Sequence, residues 1–298
     1  MEHASQKREL LGSSIEIKLK EKDSGLFSSC FSLIEDIQKR YSRFLDSSEL
    51  SMLNSKLNSW NPATEEMISL LEFAVQLKKN TEGSFDITLK KALDNIGYDK
   101  DYSFSIKKIP KESIFSRIRG RLQEPIRIDK KNNRVFLAKE IDFGGFGKGY
   151  ALDKVARFLD KKKISDYYIN AGGDIFAKHK KKDDPWIILL EHPDDPEKAI
   201  GKIELNDMAL ACSAPNRRKW KNVHHLINAK TKASENSVKC IFVLAKTGAE
   251  ADAYATGIFC LGFVEGITLS KKLPVEILMV SSENKMYKSD NFNAVLFD

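Results

Sequence analysis

The chain has 298 residues, 49 Lys and Arg against 42 Asp and Glu, a net charge of +7, and 42% hydrophobic residues. That length allows one large or two ordinary domains, with a core that needs neither disulfides nor a structural metal. No apolar run approaches membrane-spanning length, so a helical membrane protein is excluded.

The N-terminal MEHASQKRELLG is polar and lacks the apolar core of a secretory signal. A cytoplasmic location is the expectation; a periplasmic or membrane-anchored lipoprotein is the alternative if a leader has been removed. SSIEIKLK (13–20) alternates apolar and polar residues and predicts a half-buried strand. Leu26, Cys30, Leu33, Ile37, Tyr41 and Phe44 recur at helical spacing. DSSELSMLNS (46–55) reads as a polar loop or short turn, and Asn61-Pro62 as the cap and first position of a helix running to Asn80. GSFDIT (83–88) is a loop leading into another element. Strands are expected near IRI and VFL within the basic segment 100–140.

Beyond the glycine loop IDFGGFGKGYALD (141–153), Ala151, Val155, Phe158 and Leu159 predict a helix. YYINAGGDIFAKHK reads as strand, turn, strand. WIILLEHP, KIELNDMALACS and VKCIFVLA are strands, ADAYATGIFCLGF (251–263) is helical, and EILMVSS is the closing strand. Successive strands in the second half predict hairpins, so the fold class is α+β, with mixed or antiparallel sheets and flanking helices, not a doubly wound α/β fold. Cys30, Cys212, Cys240 and Cys260 are widely spaced without a CxxC and read as reduced, mostly buried thiols. The runs at 161–163, 178–182 and 217–221 are basic, but no nucleic-acid module accompanies them and no nucleic-acid partner is expected.

The glycine loop fails both familiar phosphate templates. Asp142 stands where a Walker loop needs its first glycine, and Gly149 follows Lys148 where Ser or Thr should be. Gly145 and Gly147 fit a dinucleotide fingerprint, but Tyr150 replaces its last glycine. What remains is backbone that allows close approach, a helix start with its positive dipole end, and a lysine. A phosphate loop and a plain strand-to-helix connection both stay open. In WKNVHHLINAKT (220–231), adjacent His224 and His225 point opposite ways if extended, so at most one faces a site. Asp252 and Thr256 in ADAYAT are four apart on one helix face, a donor pair that suits a hard cation such as Mg²⁺.

Together and in order, SELSMLN, GSFDIT, IDFGGFGKGYALD, INAGGD, HHLIN and ADAYAT resemble the ApbE family, the FAD:protein FMN transferases. The resemblance runs from Leu11-Gly12 to EILMV. It implies an ApbE-like α+β fold with a T-fold-like core, spanning 1–298 as one domain or two closely packed subdomains. It also implies transfer of FMN from FAD to a Ser or Thr hydroxyl of an acceptor protein, with Mg²⁺ required and AMP released. By this resemblance Leu11, Glu49, Leu50, Ser51, Asp86, Ile87, Thr88, Asp142, Lys148 and Leu226 contact FAD. Asp252, Thr256 and the Gly145 carbonyl hold Mg²⁺, and His225 is the catalytic base. The family continues from its histidine as IxDPxTGxP; here Asn228, Ala229, Lys232 and Ser234 replace Asp, Pro, Gly and Pro. SGxYxR appears as SAPNRR, with Ala214 for Gly and Arg218 kept. Two other functions are compatible with these departures: an FAD pyrophosphatase and a non-catalytic FAD binder.

Overall fold

The computed structural model describes residues 2–100, 103–106, 124–181, 184–216, 218–221 and 223–297. A hairpin of β1 (His3–Leu10) and β2 (Ser13–Lys20) comes first, followed by α1 (Phe27–Tyr41) and α2 (Glu49–Asn54). Next come β3 (Trp60–Pro62), α3 (Glu65–Asn80), α4 (Lys90–Asn95), β4 (Ile126–Asp129), β5 (Arg134–Leu137) and α5 (Gly147–Lys161). The hairpins β6 (Tyr167–Ala171) with β7 (Asp174–Lys178) and β8 (Trp186–His192) with β9 (Asp195–Leu205) lead to β10 (Met208–Ser213). Two short strands, β11 (Lys219–Trp220) and β12 (Val223–His224), precede β13 (Val238–Ala245), α6 (Gly248–Phe259) and α7 (Phe263–Ser270). The last strands are β14 (Glu276–Ser281), β15 (Met286–Lys288) and β16 (Val295–Leu296).

The main sheet has the order β1–β2–β6–β7–β10–β13–β14–β15, and its strand pairs are antiparallel. In the central strands β6, β7, β10, β13 and β14 alternate residues serve two different cores, as a period of two requires. Ile15, Ile17, Ile169, Ala211, Ile241, Val243 and Met279 face the helices. Ile175, Leu210, Cys240, Phe242, Leu244 and Leu278 face a small sheet of β8, β9 and β16. From Cys240 to Ala245 β13 is therefore apolar without a break, because both faces are covered there. The class is α+β, as the sequence predicts, with antiparallel pairing throughout the described residues. No helix among these residues is long and apolar enough to cross a membrane.

Several local expectations are corrected. The polar N-terminus forms β1, paired with β2 from His3↔Lys20 to Leu10↔Ser13. Its side chains are almost all exposed, so no alternation marks it; a charged edge strand also resists further pairing. Residues 46–55 contain helix α2, capped by the Ser48 hydroxyl accepting from the Ser51 N–H. Asn61-Pro62 lies in β3, and the cap of α3 is Thr64, whose side chain accepts from the Met67 N–H. The strand at EILMVS is followed by β15 and β16. All four cysteines are unbridged thiols.

A polar knot joins α1, α2, α3 and α5. Arg40 bonds Glu66, and also bonds Glu49 at 3.1 Å and the Thr64 hydroxyl at 3.0 Å. Glu66 also receives Tyr150 and Lys154 of α5. Burial alone would raise the Glu66 carboxyl, but bonds from Lys154, Tyr150 and Arg40 outweigh it and bring it down to about 2. A depressed carboxyl contributes stability above its unfolded pKa and loses it as pH falls through the folded value. Stability should therefore decline from about pH 4.5 toward pH 2. Glu66→Gln should flatten that decline by about 1–2 kcal/mol after solvent screening, read by urea unfolding across the range.

Candidate active site

Two helix N-termini cross at glycines. A Cβ on Gly149 of α5 would lie 2.0 Å from the Gly248 carbonyl oxygen, and one on Gly248 of α6 would lie 2.5 Å from the Gly149 oxygen. Only glycine permits this approach. Each helix then caps the other. The Gly149 N–H donates to Asp252 Oδ2 at 3.1 Å. The N–H groups of Gly248 and Ala249 donate to the Asp153 carboxylate at 2.6 and 3.0 Å. These amides are the ones a helix start leaves unpaired, and the carboxylates favour the positive dipole ends. α6 is built mostly of Gly, Ala and apolar residues because nearly its whole circumference is buried.

Lys148, one residue before the crossing, places its ammonium 2.8 Å from Asp174 Oδ2 and 3.2 Å from each Asp252 oxygen. Asp174 opens β7 just after the turn Gly172-Gly173, where both glycines have positive φ. Its other oxygen accepts from the Cys212 N–H at 3.1 Å. Burial would lower the Lys148 pKa, but Asp174 and Asp252 outweigh it and hold the ammonium charged. Asp174 is pushed up to about 6 by burial, opposed by Lys148 and reinforced by Asp252. Two buried carboxylates thus share one ammonium.

Lys148 and Asp252 line a cleft of about 790 Å³, a size that suits a small-molecule ligand. Asp86, Ile87, Asp142, Gly145, Lys148, His225, Leu226, Asp252 and Thr256 all border it. The loop at Asp142 is fastened to the loop at Ile87, whose carbonyl accepts the Asp142 N–H at 2.8 Å. Asp142 takes the Gly144 N–H at 3.0 Å and faces buried Arg43 at 3.2 Å. Arg43 also bonds Asp94 and the Tyr98 carbonyl, so one guanidinium ties the glycine loop to an aromatic wall. The amides of Gly144, Phe146, Gly147 and Gly149 are already bonded within the protein. The loop thus offers a phosphate fewer free donors than its glycines imply, and Lys148 gains weight accordingly.

The two histidines diverge. His224 is 1% exposed; its Nε2 pairs with the Glu235 carbonyl at 2.9 Å, and its Nδ1 accepts from the Leu226 N–H. His225 faces the cleft, with Nδ1 buried and, among the described residues, without a hydrogen-bond partner. Burial and the Arg218 charge push its pKa down to about 3. The ring is therefore neutral at physiological pH.

Five expected residues lie away from the cleft walls. Leu11 bonds Gln38 through its N–H, and Gly12 and Ser13 line the cleft in its place. Glu49 is occupied by Thr64 and Arg40, Leu50 is wholly buried in the core, and Ser51 belongs to the first turn of α2. Thr88 turns its hydroxyl to Asp86 at 2.8 Å. Conversely, Phe85, Tyr98 and Arg218 border the cleft without having been singled out as site residues, and buried Asp174 lies against the cleft residue Lys148. Asp174 lay within the quoted INAGGD, and a carboxylate after two glycines was the available signal.

The sequence profile of the ApbE family matches residues 11–279. The chain belongs to the ApbE family. A FAD:protein FMN transferase of Haemophilus influenzae is 27% identical over 263 residues, covering 83% of this chain and 76% of the relative. That of Vibrio cholerae is 25% identical over 275 residues, covering 89% and 82%. In fold, the chain superimposes on an ApbE protein from Thermotoga maritima with a TM-score of 0.86 at 23% identity, and on the flavin transferase ApbE from Vibrio cholerae with 0.81 at 24%. Each superposition covers 98% of both chains.

The segment after His225 departs from the ApbE pattern but keeps a closed loop. Asn228 accepts the N–H groups of Lys230 and Thr231 in a side-chain turn. Lys232, standing where the family pattern has glycine, adopts φ +61°. Ser234 closes the loop by bonding both the N–H and the carbonyl of His224.

Two outcomes follow from the geometry. Gly149→Ala should destabilise the protein by about 3 kcal/mol or more in chemical unfolding, because the new methyl meets backbone, not a movable side chain. In an NMR pH titration, the His225 ring should stay neutral from pH 8 to about pH 5, while a free histidine titrates near 6.5.

Proposed function

We propose that this protein is a Mg²⁺-dependent FAD:protein FMN transferase, working as one catalytic unit on a Ser or Thr hydroxyl of an acceptor protein. The observation that carries the reading is that Lys148, Asp252, Thr256 and neutral His225 all line one cleft. Its relatives' names support the same chemistry.

In this reading the FAD diphosphate lies against Lys148, whose ammonium offsets charge on the phosphoryl oxygens. His225 takes the proton of the acceptor hydroxyl. The hydroxyl oxygen bonds to the FMN-side phosphorus as the bond between that phosphorus and the bridging oxygen breaks, and AMP leaves with the bridging oxygen. The apolar wall around Leu226 keeps water from competing for the phosphorus.

The donor set fits a hard cation. Among the described residues no three His, Cys, Asp or Glu cluster around a metal position, so the oxygens must come from mixed sources. Asp252 supplies a carboxylate and Thr256, one turn later, a hydroxyl. Gly145 packs so close to Thr256 and Phe85 that its Cβ would sit 3.0 Å from the Phe85 ring and 3.5 Å from the Thr256 methyl. Its carbonyl is the third ligand in this proposal. Mg²⁺ there would supply charge stabilisation to the transferring phosphoryl group.

The test incubates the protein with FAD, Mg²⁺ and a flavin-acceptor protein. Covalent flavin on the acceptor should appear mole for mole with AMP. His225→Ala should lower the transfer rate by about 10²- to 10⁴-fold with FAD binding nearly unchanged. AMP released without acceptor would replace this reading by a pyrophosphatase; bound flavin without turnover would replace it by a binding protein.

A further inference from the structure

Lys148 holds a position that a bound cation would contest. Its ammonium lies 3.2 Å from both oxygens of Asp252, the carboxylate assigned above to Mg²⁺. A dication on Asp252 would repel an ammonium at that distance, and the lysine would need another partner. Asp174 is placed to be that partner. It is 2% exposed, fixed at the start of β7, and anchored through one oxygen to the Cys212 N–H. Its second oxygen lies 2.8 Å from Lys148, closer than either oxygen of Asp252.

We propose that the site is a cation-exchange device, in which Lys148 serves as the internal counter-ion of Asp252 and Asp174 is the positioning residue that takes Lys148 when a divalent cation binds. The inference rests on the reading of Asp252 as a metal ligand. No bond is made or broken; one ion pair is exchanged for another. Two carboxylates and one ammonium carry a net charge of −1, which attracts a dication. With the dication bound the cluster carries +1, which favours a diphosphate. Asp174 thus serves twice: it keeps the empty cluster negative, and it keeps the displaced lysine beside the phosphate position.

The test is calorimetric titration with Mg²⁺ alone, without FAD or acceptor, on variants whose folding is checked by circular dichroism. Asp174→Asn should weaken Mg²⁺ binding by about tenfold or more, since Lys148 is then left to Asp252 alone. Lys148→Met should tighten binding by about threefold or more, because the competing cation is gone. The decisive result is the double variant. Removing Lys148 from the Asp174→Asn protein should restore affinity to within about threefold of the unaltered protein. If Lys148→Met does not fold, Lys148→Gln serves in both places. Unchanged affinity in Asp174→Asn, a double variant no better than Asp174→Asn, or an unaltered protein that binds no Mg²⁺ would each overturn the proposal. Failure of flavin transfer with these affinities as expected would instead count against the transferase reading alone.

Discussion

The site depends on one constraint: α5 and α6 must touch backbone to backbone. Gly149 and Gly248 make that contact possible, and nothing larger fits. The approach puts Asp252 at the amide of Gly149 and Asp153 at the amides of Gly248 and Ala249. Two helix starts, normally in need of separate caps, satisfy each other. The same contact sets Lys148 between Asp174 and Asp252, so the electrostatics of the cleft follow from the packing of two helices.

Around that crossing the two-sided sheet supplies rigidity. β7 and β10 are packed on both faces, so Asp174 at the start of β7 and Cys212 in β10 are held in fixed relation. Arg43 performs the corresponding task on the loop side, joining Asp142, Asp94 and the Tyr98 backbone. Functional groups carried on loops are thereby held to rigid elements by buried, hydrogen-bonded charge, which sustains precise geometry better than loop packing alone.

Much of this was legible in the sequence, and the failures have physical causes. Strands that bury one face, such as β2, declare themselves by alternation, and α3 by its apolar spacing. β1 has no buried face to show. α2 hides because its start is set by a Ser48 cap in a polar stretch. Asp252, Thr256, His225 and Lys148 could be singled out because their chemistry is local to a motif, and all four line the cleft. Glu49 and Thr88, which the resemblance assigns to the ligand, are bonded within the protein, Glu49 to Thr64 where α2 meets α3 and Thr88 to Asp86. The free amides expected of the glycine loop were likewise mostly spent on internal bonds. Asp174 required the tertiary contact, because its significance is its distance to a lysine 26 positions earlier.

The most direct measurement is a crystal structure of the protein with FAD and Mg²⁺. The account predicts the diphosphate at the α5–α6 crossing, within reach of Lys148, with the FMN-side phosphorus turned toward His225. A diphosphate bound elsewhere, for instance along α2 near Glu49 and Ser51, with Lys148 still paired to Asp252, would contradict it.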